Sequence, residues 1–215
     1  MDATASRKLA AQGEPPKAQA TDRRTRHRER RRQEVYTAAV ELFVEQGFEN
    51  TTMEQIAQRA DVARATVFNH FERKAAFLDE WMSRRRERAF AAVREENLAD
   101  WSLERILRRY MIESARMSEE TRAETVALMT ATVHTTDVLA HPVLASEFEP
   151  YIVEAQKTGE APAQMKAGQA GLVIATSYFA ILSQWISADP PPFDLATELL
   201  ATLDIVLAGV LRRRP

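Results

Sequence analysis

The amino-acid sequence predicts an all-α protein, and three observations support this fold class. Glycine occurs only 6 times in 215 residues, too few for turn-rich β architecture. Hydrophobic residues make up 45% of the chain, which is enough for a substantial core. Apolar side chains also recur at the three- and four-residue spacing of helices from Val35 to Leu211. We therefore expect an architecture built from helices.

The composition also excludes several kinds of site and of cellular location. The sequence has no cysteine, which excludes disulfides, thiol nucleophiles and cysteine-ligated metals. No apolar segment follows the polar first residues, so a signal peptide is not expected. The longest apolar stretch, from Leu172 to Leu182, is shorter than the roughly 20 residues of a membrane span. We expect a cytoplasmic protein with no membrane partner.

The first residues of the chain are strongly basic. Residues 1–25 carry neither a helical nor a strand period, which predicts a disordered arm. Between Arg23 and Arg32 there are seven arginines and one acid, Glu29. Such a block is typical of a segment beside nucleic acid, and a solubilising tail is the alternative.

The first helix is predicted to begin near His27. Apolar residues from Val35 to Phe43 share one helical face at i, i+4, i+7 and i+8. Gly47 can end this helix in a left-handed conformation, with Phe48 packing back beneath it.

A second, short helix follows at once and ends near Asp61. Thr51 and Thr52 are both suitable N-caps, because Glu54 and Gln55 each lie three residues further on. Either register forms a capping box, so the sequence leaves the choice open.

A third short helix begins soon after the second. With Ala63 as its N-cap, Val67 and Phe71 lie four residues apart and pack inward. The outward face then holds Arg64, Ala65, Phe68 and Asn69. Two short helices joined by a tight turn, the second with an exposed polar face, describe a helix-turn-helix.

Longer helices are predicted beyond residue 75, and the last two span about 163–187 and 194–212. These two are apolar over more than one stripe, so they must be covered on both sides. Burial against a second copy of the chain achieves this, and an ordinary central core is the alternative. We expect a dimer whose interface is centred on Phe179, Leu182, Trp185, Leu203 and Leu207.

Two segments of the predicted helix-turn-helix resemble the DNA-binding domain of TetR-family repressors. They run from Gly47 to Ala57 and from Val62 to Phe71, and Lys74 follows them. The resemblance depends on a glycine, paired threonines, an Ile-Ala pair and a Thr-x-Phe-x-x-Phe spacing in that order. It extends from near Arg31 to Trp81.

The resemblance implies a homodimer with an N-terminal three-helix DNA-binding domain and a C-terminal helical ligand-binding and dimerisation domain. The expected segments are an arm at 1–25, the DNA-binding domain at 26–74 and the effector domain at 75–215. Such proteins are repressors that a small-molecule effector releases from a palindromic DNA operator. A regulator that senses no ligand, and an enzyme or carrier on a helical scaffold, are the alternatives. No catalytic motif is present, so we expect neither enzyme activity nor a cofactor.

Three residues depart from the family pattern. Asp61 stands where glycine is usual, and aspartate tolerates the left-handed conformation at a cost under about 1 kcal/mol. Ala63 replaces the usual Ser or Thr cap, which costs about 0.5–2 kcal/mol of local stability. Phe68 replaces a frequent tyrosine and cannot hydrogen-bond a phosphate. The arginine-rich segment offers a compensation for these departures.

The expected DNA contacts lie on and beside the third helix. Arg64 can pair with both acceptors of a guanine, or remain a solvated surface residue, and Asn69 suits adenine or the backbone. Lys74 lies near the N-terminus of the next helix, where its charge opposes the helix dipole, which indicates an external phosphate. Thr52 is alternatively a helix cap alone. The predicted contacts are Thr52, Arg64, Ala65, Thr66, Phe68, Asn69, His70 and Lys74.

Large, adaptable side chains among the central helices are candidates for an effector pocket, with plain core packing as the alternative for each. They are Tyr110, Met111, Met129, Phe148 and Tyr178. His134, Asp137 and His141 have a spacing that resembles a metal cluster. Pro142 interrupts the helix there, so we expect no metal.

Overall fold

A computed structural model describes residues 16–95, 102–135 and 142–210. Within these ranges the chain forms nine α-helices and no strand, which confirms the all-α prediction. None of the helices in this part of the chain is long and apolar enough to cross a bilayer. The helices are α1 (Pro16–Gln46), α2 (Met53–Arg59), α3 (Arg64–His70), α4 (Ala75–Arg94), α5 (Leu103–Glu120), α6 (Arg122–Thr135), α7 (Val143–Lys157), α8 (Ala167–Trp185) and α9 (Leu195–Val210).

The first helix begins earlier than the sequence predicts. α1 starts at Pro16 and has 31 residues, which makes it about 46 Å long. The prediction of a disordered arm is therefore wrong for residues 16–25, while residues 1–15 lie outside the described ranges. Alanine, glutamine and arginine are good helix formers, and proline is tolerated in a first helical turn. These local preferences sustain a helix where no apolar periodicity signals one.

The ends of the first two helices follow the predicted local signals. Gly47 adopts φ +85° and its N–H donates to Phe43 O at 3.1 Å, so α1 ends there as predicted. The Phe48 ring packs 5.0 Å from that of Phe43. Of the two possible capping registers, the structure has Thr52 as the N-cap of α2, in a capping box with Gln55.

The core is continuous from the helix-turn-helix into the C-terminal helices. Val67 and Phe71 are buried, as predicted, and the Phe71 ring stacks 4.0 Å from Phe77 at the start of α4. Further on, α7 and α8 pack closely, since a Cβ at Gly171 would lie only 2.6 Å from Ala145 O. α9 covers α5 and α8. α4 therefore connects the N-terminal helices rigidly to the larger bundle.

The residues predicted for the dimer interface lie inside a single chain. Each is at most 4% exposed, because α7 packs against α8 and α9 packs against both α5 and α8. The prediction is wrong for Phe179, Leu182, Trp185, Leu203 and Leu207, which are core residues. The outward sides of α8 and α9 instead present small and apolar residues, namely Val173, Ala180, Ala201, Ile205 and Ala208.

Candidate functional site

The outer face of α3 is open to solvent and polar. Arg64, Ala65 and Asn69 are exposed, whereas Val67, on the opposite side, is fully buried. Thr66, Phe68 and His70 are half-buried at the edges of this face, and Phe68 packs partly against the core. A helix anchored on one side and exposed on the other can enter a DNA groove without losing its own support.

Two residues orient the Arg64 guanidinium. Its Nε lies 2.7 Å from Glu54 Oε1 on α2, and its Cζ lies 5.2 Å from the centre of the Phe68 ring. Both charged side chains of the pair are more than half exposed. An exposed ion pair stabilises by about 0–1 kcal/mol, so Arg64 can exchange Glu54 for a nucleic-acid acceptor at small cost.

The turn between α2 and α3 tolerates its two departures from the family pattern. Asp61 takes up φ +51°, the left-handed conformation expected of it, and Val62 N donates to Ala57 O at 3.0 Å. Ala63 has the extended conformation of an N-cap, with φ −65° and ψ 144°, but no side-chain hydrogen bond. The first turn of α3 therefore lacks a side-chain cap, although Thr66 N donates to Ala63 O at 2.8 Å.

Lys74 has partners within the protein. Its Nζ donates to Phe48 O at 2.6 Å and to Glu49 O at 3.3 Å, and lies 4.3 Å from the centre of the Phe48 ring. The argument that Lys74 requires an external phosphate is therefore wrong, because two carbonyls already stabilise the ammonium. Lys74 fastens the start of α4 to the loop between α1 and α2.

Arg32 has a similar structural role at the C-terminal end of α3. Its Nη1 donates to His70 O at 2.7 Å, its Nη2 donates to Glu80 Oε2 at 2.8 Å, and its Cζ lies 4.3 Å from the Phe71 ring centre. This arginine therefore connects α1, α3 and α4. The sequence shows it only as one of seven basic residues.

The arginine-rich part of α1 passes close to the end of α3. The pKa of His70 is lowered from its usual 6.5 first by burial and then by repulsion from Arg28 and Arg32. From Arg23 to Arg30 the described side chains are exposed. The basic surface of α1 thus continues the exposed face of the helix-turn-helix. Because its pKa is lowered, His70 is neutral at pH 7.

A cavity lies between α4, α5, α6, α7 and α8, and we call it the central cavity. Three of the predicted effector residues, Tyr110, Met129 and Tyr178, line it. Met111 instead lines a second cavity against α9, where Tyr178 also contributes. Phe148 lines neither and is fully buried, with its ring 5.0 Å from that of Tyr110. The prediction is wrong for Phe148, which belongs to the aromatic core.

The central cavity is narrow and contains polar groups that sequence reasoning missed. About 330 Å³ of its space is free of atoms, but the centre of a water molecule can occupy only about 10 Å³. Arg85, Arg86 and Ser114 also line it. Burial raises the pKa of both Tyr110 and Tyr178, and the Ser114 hydroxyl lies beside both phenols. Consecutive arginines in an amphipathic helix resemble a solvated face, so the sequence gives no sign that two of them turn inward.

The trio considered for a metal is not described as a group. His134 lies in the last turn of α6 with its Nδ1 2.7 Å from Thr130 O, while Asp137 and His141 lie outside the described residues. Among the residues that the structure does describe, no cluster of three or more metal-ligating side chains occurs.

Comparisons with known proteins agree with this arrangement. The family described as bacterial regulatory proteins, tetR family, matches residues 35–81. The transcriptional regulator TcmR of Streptomyces glaucescens is 45% identical over 51 residues, which cover 24% of this chain and 23% of that regulator. The chain therefore matches about a quarter of that relative's length.

Solved structures extend the likeness to the whole fold. FadR of Thermus thermophilus, a TetR-family transcriptional repressor in complex with lauroyl-CoA, is 25% identical with a TM-score of 0.65, over 86% of this chain and 97% of that one. SmeT, the repressor of the Stenotrophomonas maltophilia multidrug efflux pump SmeDEF, is 21% identical with a TM-score of 0.67, over 84% and 90% of the two chains. The helix-turn-helix segment, residues 35–81, thus matches the tetR family of bacterial regulatory proteins, and the described chain has a fold similar to that of TetR-family repressors of known structure.

Proposed function

We propose that the protein is a sequence-specific DNA-binding transcriptional regulator, a repressor that a small-molecule effector releases from a palindromic operator. The observation that carries this proposal is the exposed polar face of α3, supported by a buried Val67 on its other side. Residues 26–74 form the DNA-binding domain in this proposal and residues 75–215 the effector and dimerisation domain. Because its function is to bind DNA, we place it in the cytoplasm.

Within the DNA-binding domain, base reading and backbone contact belong to different residues. Arg64, at the first turn of α3, reads a guanine, and Asn69, further along the same face, reads an adenine or a backbone group. Ala65 and Phe68 approach the groove wall. The phosphates are contacted by the hydroxyls of Thr52 and Thr66, by the His70 ring and by the arginines of α1. These contacts position the protein without specifying sequence. Lys74 keeps its hydrogen bonds to the two backbone carbonyls and stabilises the loop between α1 and α2.

Dimerisation in this proposal uses the outward sides of α8 and α9. Ile205 is 77% exposed and Val173 is 49% exposed, so each helix presents a large apolar side chain on its outward side. Alanines 180, 201 and 208 lie beside them and let a second pair of helices approach closely. A two-fold dimer presents two α3 helices to successive major grooves, so it reads a palindrome.

The central cavity supports ligand control, and the solved FadR structure, of similar fold, holds lauroyl-CoA. A regulator that senses no ligand is the second candidate, favoured by the small space, about 10 Å³, open to a water centre. A drug-sized ligand needs about 300 Å³ or more, so the first candidate requires the cavity wall to move on binding.

The proposed function is tested by enrichment of short genomic fragments from the source organism on the purified protein, with excess competitor DNA. A regulator enriches a small set of fragments that share a motif. Uniform recovery of all fragments, or of none, would contradict sequence-specific binding. Repeating the enrichment with an extract of small metabolites separates the two candidates, because only a ligand-sensing regulator loses its fragments.

A further inference from the structure

We propose that the central cavity takes an organic anion with an apolar body as the effector. This inference rests on the proposed regulatory function and names the chemical class of its ligand. The observation that carries it is Arg85, a cation that lines the cavity. Among the described residues, no carboxylate lies within 4.0 Å of its guanidinium.

The bonds of Arg85 go to neutral groups. Nη1 donates to Thr121 Oγ1 at 3.2 Å, Nη2 donates to Ser118 Oγ at 2.7 Å, and Cζ lies 4.8 Å from the Trp81 ring centre. Hydroxyls and a ring satisfy donors without supplying a negative charge. These contacts use two of the five guanidinium N–H groups, so three remain for a ligand.

Arg85 is half-buried, and partial burial without a bonded carboxylate makes its charge costly. Burial is the largest influence on Arg85 and lowers the pKa of its guanidinium. A buried cation is stabilised by an anion that is both close and hydrogen-bonded to it. A carboxylate meets both conditions, since it accepts two parallel bonds from a guanidinium.

The other charged groups around the cavity already have partners. Arg86 pairs with Glu147, with 3.0 Å between Nε and Oε2. Glu124 attracts Arg85 through space, but its Oε1 accepts a hydrogen bond from Trp81 Nε1 at 2.6 Å. Arg85 is therefore the cation of this cavity with open donors and no bonded counter-ion among the described residues.

The rest of the wall suits an apolar body. Trp81 and Phe179 supply ring faces, and Met82, Met117 and Met129 supply flexible side chains. The atom-free space at this site is about 330 Å³ when space open to solvent is included, and only about 10 Å³ admits the centre of a water molecule. Methionines repack readily, so they can make room for a ring or a chain.

The test is isothermal titration calorimetry of the full chain with two series of probes matched in shape and different in charge. One series is 1-naphthylacetate, 2-(1-naphthyl)ethanol and 2-(1-naphthyl)ethylammonium; the other is decanoate, decanol and decylammonium. In at least one series we expect the anion to bind at least about tenfold more tightly than its partners, as a hydrogen bond to a charged group allows.

Three variants assign the preference to Arg85. Arg85→Gln keeps a polar hydrogen-bonding side chain but carries no charge, so the anion preference should disappear. Arg85→Lys should retain it. Arg88→Gln is the matched control, since Arg88 is exposed on the same helix and pairs with Glu113 and Glu120.

The proposal is overturned if neither series binds, if an alcohol or amine matches its acid, or if the preference survives in Arg85→Gln. If Arg85→Gln fails to fold, the titrations of the native protein and of Arg85→Lys still decide whether the cavity prefers an anion. DNA binding is measured separately on the native protein. Ligand failure with intact sequence-specific DNA binding rejects only the anion, whereas loss of that DNA binding rejects the proposed function.

Discussion

Arg64 and Lys74 are two cations of the helix-turn-helix that the structure places in different surroundings. Arg64 is 65% exposed and contacts an exposed carboxylate and the Phe68 ring, whereas Lys74 donates to two backbone carbonyls. A sequence pattern treats both as DNA contacts. The surroundings indicate that Arg64 is available to read bases and that Lys74 supports the fold.

Replacement of Arg64 by alanine should relax sequence preference. If Arg64 reads one guanine in each half-site, Arg64→Ala loses about 1–3 kcal/mol of discrimination at that base pair. Binding to scrambled duplex should change much less. The measurement is a titration against operator and scrambled DNA; equal losses on both would make Arg64 a phosphate contact. Lys74→Ala is the comparison, and it should lower the free energy of unfolding instead.

The missing cap of α3 offers a gain in stability. Ala63 already has extended N-cap geometry, so Ala63→Ser can accept a backbone hydrogen bond without rearrangement. We expect the free energy of unfolding to rise by about 0.5–2 kcal/mol in urea titrations. Ala65→Ser, within the same helix and also exposed, is the control and should be slightly destabilising. An equal effect of both substitutions would show that capping is not the cause.

At the scale of the elements, α1 combines two functions in one helix. Its C-terminal half packs in the core, with Val35, Ala39 and Phe43 fully buried. Its N-terminal half carries exposed arginines past the end of α3. Since a helix extends these charges in a fixed direction, the basic surface is a defined extension of the face that we propose binds DNA.

Neutralising the exposed arginines of α1 should weaken binding to every DNA sequence. In a triple variant with Arg23, Arg24 and Arg28 changed to glutamine, the slope of log affinity against log salt should fall by about 0.9 for each phosphate that the variant no longer neutralises. Stability should be unchanged. An unaltered slope would show that the segment does not bind DNA.

Arg32→Gln is the matched control in this helix. Arg32 bonds to Glu80 and to the His70 carbonyl, so this change should cost about 1.5–3 kcal/mol of unfolding free energy, the value of hydrogen bonds to charged groups. Thermal unfolding of the two variants distinguishes a supporting arginine from a DNA-binding one.

The sequence predicted features that depend on neighbours within one or two helical turns. Gly47 and Thr52 are examples, because a left-handed cap and a capping box each involve residues only three or four positions apart. Lys74 and Arg32 were misread because their partners lie 26 and 48 positions away. The helix over residues 16–25 was not predicted, because residues that favour a helix but form no apolar face leave no periodic signal in the sequence.

The dimer interface was predicted wrongly for the same reason, because it depends on contacts between residues that are far apart in the sequence. A helix that is apolar on several sides must be covered, but its sequence does not say which side its own chain covers. In this bundle Leu203 and Leu207 face inward and Ile205, between them, faces outward. The proposed self-association surface therefore depends on which residues the folded chain leaves exposed.

A charge at Ile205 should separate the two copies. Because Ile205 is 77% exposed in one chain, Ile205→Glu should leave the monomer folded while burying an unpaired carboxylate in the dimer. We expect monomers in sedimentation and a large loss of operator affinity. Val143→Glu, at another exposed apolar residue, should remain dimeric. A dimeric Ile205→Glu protein would place the interface elsewhere.

The central claim is that two copies of the exposed α3 face read a symmetric DNA site, and selection from a pool of random duplexes tests it most directly. The native protein and Arg64→Ala are each used to select bound duplexes, which are then sequenced. We expect an inverted repeat for the native protein, with half-sites about one helical turn apart. We also expect loss of preference at one guanine in each half-site for Arg64→Ala. A pool that stays random, or a single asymmetric motif unchanged by Arg64→Ala, would contradict this claim.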